Sequence, residues 1–143
     1  MDADESPFAP TVLIVDDEPV NRMVLARMVE HYGARCVEAA SGAEALELLG
    51  AQKMDLVLMD IHMPQMSGIQ AVERLRAVPG PNQQVPVVAV TGDTTRVKRE
   101  YIALGFDDYA NKPISLAAVR AMLSARREPD SEALHNAYAT GRR

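Results

Sequence analysis

The chain of 143 residues contains a single cysteine, Cys36, and no tryptophan. One thiol cannot form an internal disulfide, which excludes a disulfide scaffold and favours a reducing compartment. No apolar run approaches the roughly 20 residues that cross a bilayer. The acidic start, Met1-Asp-Ala-Asp-Glu-Ser, lacks the positive charge of a signal peptide. The sequence therefore predicts a cytoplasmic protein without a membrane or secretion segment.

Positive charge is also scarce. The chain has 15 Lys and Arg against 20 Asp and Glu, a formal net charge of −5, which argues against a nucleic-acid-binding body. Hydrophobic residues make up 48% and charged residues 24%, close to the globular average, so wholesale disorder is excluded. Independent domains cluster near about 100–150 residues, and we therefore expect one domain with one core.

Short β-branched runs alternate with segments of helical period between residues 11 and 127. This pattern is typical of repeated strand–helix units around a parallel sheet, and therefore of an α/β fold. The first, third and fourth runs are continuously apolar, as strands covered on both faces must be, and the other two are typical of edge strands. The predicted strands are Thr11–Val15, Arg35–Ala39, Leu56–Met59, Val87–Thr91 and Asp108–Ala110.

Proline, glycine and capping residues set the predicted limits of five helices. These signals are Pro19 and Gly33, Ser41 with Glu44, Gly68 and Ala77, Thr94 or Thr95 with Gly105, and Ser115. Residues 1–10 and 128–143 have few large apolar side chains, so both are predicted to be tails around a domain at residues 11–127. Part of the second tail is expected to be helical around Leu134 and Tyr138.

Polar residues end four of the five predicted strands. Asp16 and Asp17 follow the first strand and Asp60 follows the third. Thr91 ends the fourth, and Lys112 follows the fifth closely. The carboxyl ends of parallel strands share one edge of the sheet, where binding sites collect. We therefore expect these residues, up to 96 positions apart, to meet at that edge.

Three carboxylates in one pocket need a counter-ion, because like charges about 4 Å apart repel by roughly 4 kcal/mol at an effective dielectric near 20. Oxygen ligands suit Mg²⁺, which proteins usually hold with carboxylates and phosphate oxygens. A phosphoryl group on that metal would find further donors in the ammonium of Lys112 and the hydroxyl of Thr91. A carboxylate beside the metal can also act as a nucleophile, which gives an aspartyl phosphate.

Four separated motifs carry a resemblance to a known family. They are Ile14-Val-Asp16-Asp17-Glu18, Met59-Asp60-Ile-His62-Met-Pro64, Val90-Thr91-Gly92 and Asp108-Tyr109-Ala-Asn-Lys112-Pro113. In this order, over about residues 11–127, the chain resembles the phosphoacceptor receiver domain of two-component response regulators. The resemblance implies a flavodoxin-like fold, which is a doubly wound five-stranded parallel sheet in the order 2-1-3-4-5 with five helices.

The resemblance implies a metal and phosphoryl site at the sheet edge. Asp60 would accept a phosphoryl group from a phosphohistidine donor. Mg²⁺ would be bound by Asp16, Asp17 and Asp60 and by the main-chain carbonyl of His62. In this family the second acid usually contacts the metal directly and the first often acts through water, so Asp17 ranks above Asp16 as a ligand. The imidazole of His62 is expected at the surface, because no cysteine or second histidine stands at zinc-ligand spacing.

A switch is also implied by the resemblance. Lys112 and Thr91 would bind the phosphoryl group, and Thr91 and Tyr109 would change orientation on phosphorylation. The bond between Lys112 and Pro113 would be cis. Gly92 stands where many receivers carry alanine, and without a Cβ it would leave the phosphoryl group more open to water.

The resulting interpretation is a single-domain response regulator, a phosphoprotein that promotes only its own phosphorylation and dephosphorylation and is otherwise not an enzyme. Its partners would be a sensor histidine kinase or a histidine phosphotransfer protein in a phosphorelay. Phosphorylation would switch the surface of the fourth helix, fifth strand and fifth helix, with Ile102 and Ala103 outward, for contact with a downstream protein. The chain would act as a monomer or a phosphorylation-dependent dimer, without nucleic-acid or membrane partners.

Three alternatives stay open. The chain could be a receiver domain excised from a hybrid histidine kinase, in which case residues 128–143 would be a linker. If the chain is instead an independent protein, the 16 residues after Arg127 would be too few for an output domain. It could be a receiver-fold binding module that ignores phosphate. A phosphatase of the haloacid dehalogenase type is less favoured, because its second acid would stand where this chain has His62.

Overall fold

The computed structural model describes residues 9–127, so most of the two predicted tails, including Leu134 and Tyr138, lies outside the described residues. Strands and helices alternate along the described part of the chain. In order they are β1 (Thr11–Val15), α1 (Pro19–His31), β2 (Arg35–Ala39), α2 (Gly42–Ala51), β3 (Leu56–Asp60), α3 (Gly68–Ala77), β4 (Val87–Thr91), α4 (Lys98–Ala103), β5 (Asp108–Asn111) and α5 (Leu116–Arg127).

The five strands form one parallel sheet in the order β2-β1-β3-β4-β5, which confirms the predicted topology. β1, β3 and β4 lie in the middle and are almost wholly buried, whereas the edge strands β2 and β5 are partly exposed. β3 and β5 each run one residue further than predicted, to Asp60 and Asn111. The continuous apolar runs identified the central strands because each must pack on both faces.

Helices cover both faces of the sheet. Leu13 and Val15 of β1 face one core cluster, which α2, α3 and α4 complete with residues such as Leu49, Val72 and Tyr101. The alternate side chains of the same strand face a second cluster, completed by α1 and α5. Burial of a large apolar side chain contributes about 1.5–3 kcal/mol, so the two clusters fix the sheet between its helical layers. Within residues 9–127, no helix is both long and apolar enough to cross a bilayer.

The start of α4 was predicted wrongly. The capping signals placed it near Thr94 or Thr95, but the helix begins at Lys98. Asp93 explains the difference, because its Oδ1 accepts hydrogen bonds from both the amide and the hydroxyl of Thr95, at 2.8 Å and 2.7 Å. A side chain that binds the backbone two residues ahead favours a turn over a helix. The β4–α4 connection is therefore longer, and the helix shorter, than predicted from the sequence.

Gly68 connects the start of α3 to the end of β3. Its amide donates to the carbonyl of Ile61 at 2.9 Å, and Ser67 caps the helix through the amide of Gln70 at 3.1 Å. A Cβ at Gly68 would overlap the carbonyl oxygen of Asp60 and lie 2.9 Å from Cγ of Met59. Only glycine therefore allows the helix to pass this close to the strand end that carries Asp60.

We expect Gly68→Ala to lower the free energy of unfolding by about 1–3 kcal/mol, because the added methyl group must displace backbone. Gly50→Ala is the matched control, since Gly50 is exposed within α2 and a Cβ there meets nothing within 4 Å. The control should gain about 0.5–1 kcal/mol from the better helix propensity of alanine. Urea denaturation measures both variants, and shifts of the same sign would contradict this account of Gly68.

Candidate functional site

The strand ends bring the acidic residues and the lysine together. The ammonium of Lys112 lies 3.2 Å from Oδ1 of Asp60 and 3.3 Å from Oδ2 of Asp16. Asp16, Asp17 and Asp60 each offer a carboxylate oxygen, and these three oxygens lie within 4.8 Å of one another. The site therefore consists of three convergent carboxylates and one ammonium, supplied by the ends of β1 and β3 and by the segment after β5.

Local hydrogen bonds hold the two buried carboxylates in place. Asp16 is 1% exposed; its Oδ1 accepts from the amide of Glu18 at 2.9 Å, and its carbonyl accepts from Arg22 at 2.8 Å. Asp60 is 4% exposed, and the next amide, that of Ile61, donates to the carbonyl of Val90 at 3.2 Å. A backbone amide thus holds the carboxylate of Asp16 and the side chain of Arg22 holds its carbonyl, while the backbone just after Asp60 is hydrogen-bonded to β4.

Burial dominates the electrostatics of Asp60. It raises the pKa of Asp60, as do the negative charges of Asp16 and Asp17, and the ammonium of Lys112 only partly opposes them. For Lys112, burial alone would lower the pKa, but the attraction and hydrogen bonds of Asp60 and Asp16 outweigh it and raise the pKa. Lys112 therefore stays protonated at neutral pH, while the ionised form of Asp60 is disfavoured in the metal-free site.

The donor set suits a small divalent cation. Three carboxylates and one ammonium leave an excess of two negative charges, which a dication would neutralise. All three side-chain ligands are oxygens, and Asp17 is only half-buried, which leaves space for water or phosphate on that side. Hard cations with oxygen ligands, such as Mg²⁺, fit this chemistry. His62 is exposed, as expected, and adds no imidazole to the cluster described here.

Thr91 and Tyr109 lie on the adjacent strands β4 and β5. Thr91 is wholly buried, and its hydroxyl accepts a hydrogen bond from the amide of Asp93 at 2.9 Å. Its carbonyl accepts from the amide of Lys112 at 2.8 Å, which ties the lysine to β4, and the bond from Lys112 to Pro113 is cis, as the resemblance implied. Tyr109 is half-buried against the core cluster on the α4 side of the sheet.

One neighbour of Tyr109 was missed in the sequence. The ring of Tyr101, from α4, stacks on that of Tyr109 with centroids 5.1 Å apart and planes 19° apart. No local signal in the sequence connects two aromatic residues in different elements.

In the metal-free protein, ionised Asp60 should weaken folding. A folded-state pKa above the unfolded value gives stability that is fully present below the unfolded pKa and is lost as the pH rises through the folded pKa. We therefore expect Asp60→Asn to raise the thermal midpoint in EDTA at about pH 7, with a gain that shrinks toward about pH 4 as wild-type Asp60 becomes protonated.

Asp55→Asn is the matched control for this charge removal. Asp55 precedes the same strand at its opposite end, where Oδ2 accepts from the amide of Thr11 at 2.7 Å. This variant should not gain stability. A midpoint of Asp60→Asn at or below that of the wild type in EDTA at about pH 7 would contradict the electrostatic account.

Comparison with known proteins identifies the arrangement. Residues 12–124 match the model of the response regulator receiver domain. The sensor protein GacS of Pseudomonas syringae pv. syringae is 41% identical over 110 residues, which is 75% of this chain and 12% of GacS. The autoinducer 1 sensor kinase/phosphatase LuxN of Vibrio harveyi is 35% identical over 115 residues, which is 80% of this chain and 13% of LuxN. The chain thus spans about an eighth of the length of these curated relatives.

Solved structures show the same fold. The receiver domain of the sensor histidine kinase PA1611 from Pseudomonas aeruginosa, which has a magnesium ion in its active-site cleft, is 31% identical with a TM-score of 0.73, covering 81% of this chain and 95% of that one. The receiver domain of Ssk1 from Saccharomyces cerevisiae, in complex with the histidine phosphotransfer protein Ypd1, is similar with a TM-score of 0.72 and 26% identity, covering 82% of this chain and 88% of that one. From these matches, and from the strand-end carboxylates and lysine, the chain belongs to the response regulator receiver domains of two-component signalling.

Proposed function

We propose that this chain is a phosphorylation switch in which a carboxylate oxygen of Asp60 accepts a phosphoryl group from a phosphohistidine donor. The observation that carries the proposal is the contact of one ammonium with two buried carboxylates beside a third. In the transfer, the N–P bond of the donor breaks, an O–P bond forms on Asp60, and the imidazole leaves. A Mg²⁺ ion held by Asp16, Asp17, Asp60 and the main-chain carbonyl of His62 would neutralise charge on the phosphoryl oxygens.

Asp60, Lys112 and Thr91 would have different roles in that transfer. Asp60 is buried, and the backbone just after it is hydrogen-bonded to β4. The nucleophile is therefore oriented before the donor arrives. Lys112 already lies 3.2 Å from Asp60 and would pair with a phosphoryl oxygen once the group is attached. The hydroxyl of Thr91 would exchange its hydrogen bond from the amide of Asp93 for one to the phosphoryl group.

The output would come from the face formed by α4, β5 and α5. The phosphoryl group adds about −1.5 to −2 of charge and draws Thr91 toward it, and Tyr109 packs into the space beside it. Val97 and Ile102 of this region are 47% and 48% exposed, and Ala103 is exposed next to them. An apolar surface of this kind suits a protein partner whose binding completes the shift in conformation.

Asp60→Asn should abolish labelling by acetyl phosphate. Intact-protein mass spectrometry is expected to show one added phosphoryl group on the wild type only when Mg²⁺ is present, and none on the variant. Asp55→Asn keeps all three site carboxylates and should label as the wild type does. Equal labelling of Asp60→Asn and the wild type would contradict the assignment of the phosphoacceptor.

We infer that a phosphohistidine donor docks on α1. Val20, Met23 and Val24 on this helix are 65%, 49% and 44% exposed. Val24 also lines a cleft of about 370 Å³ whose walls include the site residues Asp16 and Lys112. An apolar face that continues into the phosphorylation site suits a donor protein, because it can bury the contact while its phosphohistidine reaches Asp60.

Val24→Glu should therefore slow transfer from a protein donor while it preserves labelling by acetyl phosphate, which needs no docking surface. Phosphorylated Ypd1 serves as the donor probe. A decrease of about tenfold or more in transfer rate is expected, since a buried charge in an interface costs more than about 1.4 kcal/mol. Val78→Glu, at an exposed valine following α3, is the control and should transfer as the wild type does. Equal rates for the two variants would contradict the docking face.

The proposal applies equally to an independent protein and to the receiver of a hybrid histidine kinase, because the curated relatives are sensor kinases far longer than this chain. In both settings the chain would catalyse only its own phosphorylation and dephosphorylation. A phosphate-independent binding module is the outcome in which neither acetyl phosphate nor Ypd1 labels Asp60. Cytoplasmic location and the oligomeric state stay predictions from the sequence.

A further inference from the structure

Two residues of α4, three positions apart, contact two consecutive residues of β5. The ammonium of Lys98 lies 3.8 Å from Oδ1 of Asp108, and three residues later Tyr101 stacks on Tyr109. Residues three apart lie on the same side of a helix, so both contacts come from one side of α4. Because α4 has only six residues, these contacts form a large part of what fixes it to the sheet.

The stack places Tyr109 in a defined position before any phosphoryl group is attached. Tyr101 is 0% exposed, and Phe106 meets its ring edge-on with centroids 5.9 Å apart. Tyr109 packs against this same cluster through the nearly parallel face of Tyr101. Offset aromatic pairs at this separation are favourable beyond the area they bury, so Tyr101 favours the core-facing orientation of Tyr109.

The register of the sheet connects this pair to the site. Tyr109 pairs with Ala89, and Thr91 follows two residues later on the same face of β4. The side chain of Ala89 is small, so nothing bulky on that strand separates the ring of Tyr109 from the hydroxyl of Thr91. The side chains of Tyr109 and Thr91 therefore lie on the same face of two neighbouring strands.

The hydroxyl of Tyr101 shows that the ring, not the polar group, accounts for the packing. Among the described residues it is a buried polar atom with no hydrogen-bond partner. An unpartnered buried hydroxyl opposes this arrangement, yet the aromatic contacts hold the ring in it. Tyr101→Phe therefore separates the two contributions, because it keeps the stack and removes the hydroxyl.

We propose that Tyr101 is a positioning residue for the phosphorylation switch, which holds Tyr109 facing the core in the unphosphorylated protein by stacking on it. The contact between Tyr101 and Tyr109 is independent of the proposed function, but its effect on the switch rests on that function. With Tyr109 already facing the core, phosphorylation has less rearrangement to drive. Without the stack, Tyr109 turns toward solvent until the site is occupied.

The test measures the exposure of the Tyr109 ring to solvent. The chain has four tyrosines, and 3-fluorotyrosine labelling with ¹⁹F NMR resolves them, with Tyr109→Phe to assign the signal. The lost ring current alone would move the resonance, so exposure is taken from the change in ¹⁹F shift between H₂O and D₂O. In metal-free protein we expect this change to rise toward the value of free fluorotyrosine in Tyr101→Leu and in Tyr101→Met, whose flexible side chain fills most of the space.

Phe106→Leu is the matched control, since it removes a buried aromatic ring from the same cluster but leaves the stack intact. Tyr109 should stay as protected in this variant, and in Tyr101→Phe, as in the wild type. If Tyr109 is equally protected in Tyr101→Leu and Tyr101→Met, or equally exposed in Phe106→Leu, then Tyr101 only fills the core and the proposal is wrong.

A second readout follows the switch itself. Beryllofluoride with Mg²⁺ imitates the phosphoryl group, and its apparent affinity should fall about 2- to 12-fold in Tyr101→Leu, the factor that one aromatic pair is worth. Phe106→Leu should stay within about twofold of the wild type. If the wild type binds no beryllofluoride, the proposed function fails, while the exposure measurement still decides the role of Tyr101. Unchanged affinity in Tyr101→Leu would overturn the coupling to the switch.

Discussion

The ammonium of Lys112 joins parts of the chain that are 96 and 52 residues apart, at 3.3 Å from Asp16 and 3.2 Å from Asp60. Without a cation at this point, the fold would place three carboxylates together in a largely buried pocket. Burial of Asp60 raises its pKa, the charges of Asp16 and Asp17 add to this, and the ammonium of Lys112 only partly opposes the rise. The need for a further cation, and the attraction of that cation for phosphate, both follow from this one constraint.

Much of the fold could be predicted because the sheet is buried on both faces. Continuous apolar runs such as residues 87–90 admit few other structures, and polar residues directly after such runs are unexpected unless the strand ends carry a site. Asp16, Asp60 and Lys112 were predicted to meet on that argument alone, and they do. The strand order itself came from the resemblance, since periodicity does not determine which strands are neighbours.

The start of α4 and the stack of Tyr101 on Tyr109 could not be predicted. The first depends on competing local hydrogen bonds, and the second depends on a contact between side chains in different elements of the fold. The capping residues Thr94 and Thr95 suggested an early start of α4, but Asp93 accepts a hydrogen bond from the amide of Thr95, and the helix begins only at Lys98. The stack of Tyr101 on Tyr109 depends on the distance between a helix and an edge strand, which no spacing in the sequence encodes. These differences all fall beside the site, where the local preferences of the chain compete with the arrangement that a switch requires.

The most direct test of the central claim is to locate the phosphoryl group by chemistry. After treatment with acetyl phosphate and Mg²⁺, borohydride reduces an aspartyl phosphate to homoserine, and peptide sequencing by mass spectrometry finds the position. The account predicts homoserine at position 60 in place of Asp60, and only when Mg²⁺ was present. Homoserine at position 16 or 17 instead, or at no position, would contradict it.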